Sequence, residues 1–125
     1  MNIKEGLLYS PSHEWVKAEG KTAWIGISDH AQHALGSVVF IELPKVGQTF
    51  KKGDAMGAVE SVKAASDVYT PVSGKILDVN KDLEGSPEML NDDPYGAWIV
   101  KIELSNEDEL KHLLSAKDYT PLCEE

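Results

Sequence analysis

At 125 residues the chain makes one domain the working count, burying roughly two-thirds of its unfolded surface without staples. Acidic residues outnumber basic ones 21 to 12, a net charge of −9, which repels nucleic-acid backbones and anionic membrane surfaces and favours partners with basic patches. One cysteine, Cys123, excludes an intramolecular disulfide and a cysteine-built metal cluster, and no apolar run approaches the ~20 residues of a membrane span. A soluble monomer with a free thiol in a reducing compartment is expected.

From the N-terminus, His13 to Glu19 alternates apolar and charged residues, Gly20-Lys21 is a turn, and Thr22 to Ile27 resumes as a second strand, which predicts a hairpin. Ser28 or Asp29 offers an N-cap for a short helical turn over His30 to Leu35 that Gly36 stops. Val38 to Leu43 is a nearly continuous apolar run closed by Pro44 and predicts a buried strand. Val46 to Val62 and Val68 to Asn80 have similar length and pattern. They predict two strand pairs packed as interlocking halves around a bend at Lys63. A further strand is expected at Trp98 to Leu104. A last helix follows, capped by Ser105 or Asn106, with acids in its first turn and Leu110, Leu113 and Leu114 on one face.

Lys63 is the residue this pattern singles out. It lies in Val59-Glu60-Ser61-Val62-Lys63-Ala64-Ala65-Ser66-Asp67, and the outer residue of a tight hairpin connection points to solvent on a backbone fixed by the ladders behind it. A short helix over Glu60 to Ser66 is the alternative, since Glu, Lys and Ala favour helix. So short a helix is poorly supported between Val-rich segments. His13, His30, His33 and His112 lack metal-site spacing and acidic or cysteine partners, so no metal is assigned.

The Lys63 run, followed by Tyr69-Thr70-Pro71-Val72-Ser73-Gly74, closely resembles the lipoyl-attachment hairpin of the glycine cleavage H-protein family. The likeness extends to Ser12 to Val16, Gly26 to Gln32, Val38 to Pro44, Asn91 to Gly96 and Leu114 to Tyr119, so it covers essentially the whole chain. One departure is visible: Tyr95-Gly96-Ala97-Trp98 is a residue shorter than the family's usual spacing. The resemblance implies a mainly β fold, a barrel-sandwich hybrid of two small antiparallel sheets with short helices, one of them C-terminal, as a single lipoyl-carrier domain over 1–125.

The same resemblance implies a non-catalytic carrier subunit of the glycine cleavage system, a part of glycine catabolism and one-carbon metabolism. Lipoate would be joined to Lys63 as an amide, giving an arm of roughly 13 Å. A pyridoxal phosphate-dependent glycine decarboxylase would load it with an aminomethyl group, a tetrahydrofolate-dependent aminomethyltransferase would unload it, and dihydrolipoyl dehydrogenase would reoxidise it. Glu14 and Asp67 match the acids that meet the loaded arm, with Ile27 and Leu35 added as apolar walls. Glu60, Ser61, Val62 and Ala64 would be read by the lipoylating enzyme. Plainer readings stand beside these: an exposed strand residue for Glu14, a turn cap for Asp67, solvated edge residues for Glu60 and Ser61.

Rivals from other classes are an enzyme, for which no nucleophile-base set or phosphate loop is present, and a carrier of another group. Biotin carriers flank their lysine with methionines, where Val62 and Ala64 stand here. An H-like protein relaying lipoyl groups to other lipoyl-dependent proteins would present the same attachment site. A start at Met1 without a presequence fits a bacterial cytoplasm, while a mature form from the mitochondrial matrix would look alike.

Overall fold

The computed structural model describes residues 2–123. The single domain expected over 1–125 includes Met1, Glu124 and Glu125, which lie outside the described residues. Two antiparallel sheets carry the fold, and the core lies between them.

The first sheet begins with β1 (Leu8–Tyr9), β2 (Glu14–Glu19) and β3 (Thr22–Ile27). β2 and β3 form the expected hairpin, in register from Glu14 opposite Ile27 to Glu19 opposite Thr22. Gly20 makes the turn at φ 61°, a value that costs glycine little. β5 (Thr49–Phe50), β8 (Gly74–Val79) and β9 (Val100–Leu104) complete this sheet, in the order β1-β2-β3-β9-β8-β5. The second sheet is β4 (Val38–Glu42), β6 (Ala55–Ser61) and β7 (Ala65–Tyr69), with β6 central.

The interlocking halves arise from nested pairing. β6 pairs with β7 around Lys63, while the flanking β5 and β8 pair with each other in the other sheet. Between β5 and β8 the chain passes from one sheet to the other and back, and the core so formed joins Val59, Val68, Val72 and Ile76 with Ile25, Val100 and Ile102. Each such side chain contributes about 1.5–3 kcal/mol on removal from water. A second, aromatic cluster joins Leu7, Tyr9, Trp15 and Tyr119, with the Tyr9 and Tyr119 rings stacked 4.4 Å apart.

Helix α1 (Asp29–Leu35) starts where expected: the Ser28 hydroxyl accepts from the Ala31 N–H, and Gly36 closes the helix at φ 82°. Two short helices, α2 (Asp82–Gly85) and α3 (Met89–Asp92), bury Leu83 and Leu90 between β8 and β9. The Tyr95–Trp98 loop is anchored from both ends. Trp15 donates its indole N–H to the Pro94 carbonyl at 3.0 Å, and Ala97 is buried.

Two expectations require correction. Val38 to Leu43 is not a buried strand: β4 lies at a sheet edge, and its central Val39 and Phe40 are both exposed. The segment after Asn106 is not one α-helix. Asn106 does cap it, accepting from the Asp108 N–H, but Glu107–His112 is a 3-10 helix, and α4 (Ala116–Cys123) is a separate element. Leu110 and Leu113 pack on the inter-sheet core, whereas Leu114 joins the aromatic cluster through the bridge of its backbone to Tyr9.

Candidate functional site

The tip of the β6–β7 hairpin is closed by a serine side chain. Ser61 donates its N–H to the Ala64 carbonyl at 2.7 Å, and its hydroxyl oxygen accepts from the N–H groups of Lys63 and Ala64 at 3.3 and 3.0 Å. No tip residue has positive φ, so the hydroxyl does the closing that left-handed residues perform in the commonest two-residue hairpins. The Val62 N–H donates to the Ser37 carbonyl at 3.1 Å, tying the tip to the segment that enters β4. Lys63 is exposed on this braced loop.

The lysine stem lies over Gly36. A Cβ at Gly36 would sit 3.2 Å from the Lys63 Cε, so the missing side chain leaves a track from the hairpin to the end of α1. Asn91 holds that track in place, donating from Nδ2 to the Gly36 carbonyl at 2.8 Å and accepting at Oδ1 from the Val38 N–H at 2.8 Å.

Beside the hairpin is a cleft of about 310 Å³. Ala31, Ala34 and Leu35 of α1 form one wall, Ala64 to Val68 another, and Ser12, His13, Glu14 and Ile27 close it from the first sheet. The four residues Glu14, Ile27, Leu35 and Asp67, widely separated in sequence, therefore border one space. Glu14 is only 2% exposed, which overturns the exposed-strand reading. Its carboxylate accepts from the Ser10 hydroxyl at 2.6 Å, the Ser12 hydroxyl at 2.5 Å and the Tyr69 N–H at 3.3 Å. Burial raises its pKa above the ordinary carboxylate value, and these donors oppose that rise. Among the described residues no cation lies within ion-pair distance of it.

Asp67 has a different setting. Ser66 pairs with Val59 and Asp67 with Ala58, so strand alternation turns Ser66 toward the core side and Asp67 toward the outer face. Asp67 is exposed and borders a second cleft as well.

Across the cleft His13 takes φ 73°, and its Nδ1 lies 2.6 Å from the Tyr119 hydroxyl, which is 2.7 Å from the Ser28 hydroxyl. Its ring packs 4.4 Å from that of His30. Burial first, and then His30, push the His13 pKa below the ordinary imidazole value. His13 is thus neutral at neutral pH and leaves Glu14 without a competing cation.

A buried carboxylate beside an exposed, braced lysine is the setting on which the comparisons with known proteins bear. The family model described as "Glycine cleavage H-protein" matches residues 7–125. The chain belongs to the glycine cleavage H-protein family. It is 59% identical over 124 residues to the glycine cleavage system H protein of Alkaliphilus oremlandii (strain OhILAs), covering 99% of this chain and 98% of that one. It is 55% identical over 125 residues to the mitochondrial glycine cleavage system H protein of Pisum sativum, covering 99% of this chain and 76% of that one. In structure it matches a glycine cleavage system H protein from Mycobacterium marinum with a TM-score of 0.86 at 35% identity, covering 95% of this chain and 97% of that one.

Several residues that shape the site escaped sequence reasoning. Ser10 and Ser12 sit four and two residues before Glu14, but alternation gives no reason for hydroxyls to turn inward at a loop. Tyr119 reaches His13 across 106 residues, and no local pattern encodes that. Ser12, Asn91 and Tyr119 carried a signal of another kind, since each stands at an end of a block that resembles the family, though the resemblance gave none of them a contact.

Proposed function

We propose that the chain is the lipoyl carrier of a glycine cleavage system, a non-catalytic subunit built as one monomeric domain and modified on Lys63. The observation that carries this reading is the juxtaposition of an exposed lysine on a braced hairpin with a cleft whose acid, Glu14, is buried without a cation. Family membership supports the wider role: glycine decarboxylase, aminomethyltransferase and dihydrolipoyl dehydrogenase as successive partners, and a lipoylating enzyme that reads Glu60, Ser61, Val62 and Ala64. No described helix is long and apolar enough to cross a membrane, and the bacterial relatives favour a cytoplasmic setting.

The residues present fit the lipoyl group. Lys63 would hold the group: its deprotonated Nζ would attack an activated lipoyl carboxyl, lose a proton and expel the activating group, leaving an amide that carries no ammonium charge. When bound, the group supplies a reversible disulfide at the end of a long flexible tether. The chain's own part is positional. Ser61 keeps the hairpin tip in one conformation, and Gly36 leaves room for the lysine stem beside the end of α1. Glu14 would accept a hydrogen bond from a protonated amine carried into the cleft. An ammonium within hydrogen-bond reach of a partly buried carboxylate gains ~1.5–3 kcal/mol, and it also returns the Glu14 pKa toward the ionised side. Ile27, Leu35 and the α1 alanines exclude water from the labile cargo.

The test is modification and turnover together. Incubated with lipoate and its ligase, the parent gains one lipoyl group, mapped by peptide mass spectrometry to Lys63, and supports glycine decarboxylation with the partner enzymes. Lys63→Arg gains none and supports none, because a guanidinium is a poor acyl acceptor at any accessible pH. Its unfolding free energy changes by less than about 0.5 kcal/mol, as expected of an exposed position. Lipoylation of Lys63→Arg, or modification of Lys51, Lys52 or Lys75 in the parent, removes the reading.

A further inference from the structure

β4 breaks the alternation of a half-buried strand. Val38 and Ile41 are 4% and 3% exposed, yet the two residues between them, Val39 and Phe40, are 54% and 53% exposed. The cause is a register shift: Val38 pairs with Ser61 and Phe40 with Glu60, so β4 advances two residues while β6 advances one. Bulges of this kind re-aim side chains. Here one presents two neighbouring apolar residues to solvent, and Val62, at 76% the most exposed large apolar residue among the described residues, stands at the hairpin tip that the Ser37 carbonyl ties to the start of β4.

The three strands themselves carry charge of one sign, with Lys45 beside the acidic row and Lys63 at the tip as the neighbouring cations. β4, β6 and β7 contain no lysine or arginine, and they carry Glu42, Glu60 and Asp67. Phe40 lies opposite Glu60, and Glu42 lies in one row with Ala58 and Asp67. An apolar centre with an acidic rim fits a protein surface that offers an apolar seat ringed by lysine or arginine.

We propose that Val39, Phe40 and Val62 form a docking face for the enzyme that acylates Lys63, whose own surface there is apolar and rimmed by basic residues. This rests on the carrier reading above. Reach selects that partner. Phe40 is level with Glu60, three strand residues from Lys63, or about 10 Å. An enzyme that brings an activated carboxyl to Nζ must cover the tip and what lies within that distance. Enzymes that act on the end of the finished arm stand off by up to roughly 13 Å more.

Binding is measured first on a Lys63→Arg background, so that no turnover occurs. Adding Val39→Ser and Phe40→Ser raises the Kd for a lipoate ligase by about tenfold, the scale of a central apolar anchor. Val46→Ser, a control at another exposed apolar residue (58%), leaves it unchanged. Affinity for the parent falls from low to physiological salt, as a charged rim requires. On the Lys63 background the same pair raises the KM for lipoylation by a similar factor with kcat nearly unchanged, and Phe40→Leu restores it. Once driven to full lipoylation, the variants are reduced by dihydrolipoyl dehydrogenase at the parent's rate, and their melting temperatures match the parent's. Unchanged Kd and KM, an equal loss in Val46→Ser, or an equal loss in the dehydrogenase step overturns the docking face. A parent that never acquires a lipoyl group overturns the carrier reading itself, whatever the variants do.

Discussion

Glu14 concentrates the site's electrostatics in one side chain. Its folded pKa is raised, chiefly by burial, so the folded chain holds a proton there more readily than the unfolded chain does. Its contribution therefore favours the fold at acid pH and is lost as pH rises from the unfolded value through the folded one. Glu14→Gln keeps the shape, offers an oxygen to the Tyr69 N–H, and lets the Ser10 and Ser12 hydroxyls turn to accept from its amide. Relative to the parent, this variant is expected to be most stable at neutral to alkaline pH, with the advantage shrinking on acidification. Urea midpoints across that range check the sign; an advantage that grows toward acid pH contradicts a raised pKa. The acid was legible in the sequence through its likeness to the family. Its burial was not, because Glu14 begins a strand whose alternation offers either face.

At the scale of elements, the hairpin depends on Ser61 more than on any glycine. Ser61→Ala removes the acceptor for the Lys63 and Ala64 N–H groups, and the expected cost is about 0.5–1.5 kcal/mol, the worth of an ordinary hydrogen bond. Hydrogen exchange should quicken at Lys63 and Ala64 and leave the β6–β7 ladder protected. Exchange unchanged at both amides shows that the ladders alone set the tip. The hairpins and α1 were readable because turn residues and caps act locally: Gly20, Ser28 and Gly36 each sit where the structure uses them. β4 was misread because an apolar run carries no information about which neighbour covers it, and a bulge defeats alternation. The C-terminal segment differs from one helix because Leu113 closes the 3-10 helix and Ser115 then starts another element. Its leucines serve two different clusters, which periodicity in one helix cannot express.

On the scale of the molecule, α4 is bound to the cleft through one phenol. Tyr119 stacks on Tyr9 and reaches both His13 and Ser28, and burial holds its pKa well above the ordinary phenol value, so the hydroxyl stays protonated. Tyr119→Phe keeps the stack, leaves the half-buried His13 Nδ1 without its partner and leaves the Ser28 hydroxyl with the Ala31 N–H alone, at a cost of about 1–3 kcal/mol. Thermal unfolding measures the loss. Ring resonances of His13 should shift in the same variant, whereas those of His112, exposed on the 3-10 helix, should not. Such long-range contacts are the part of the fold that local sequence patterns cannot convey.

The claim that joins these scales is that the cleft beside Lys63 shelters an amine-bearing cargo between partners. Its most direct measurement is the decay of the aminomethyl-loaded carrier, free of its partners and at low salt, in the parent and in the double variant Glu14→Gln with Asp67→Asn. Both proteins should accept lipoate equally. The account predicts faster loss of formaldehyde and ammonia from the double variant, with Glu14→Gln alone producing most of the change because Asp67 is exposed on the outer face. Equal decay rates in parent and double variant would contradict it.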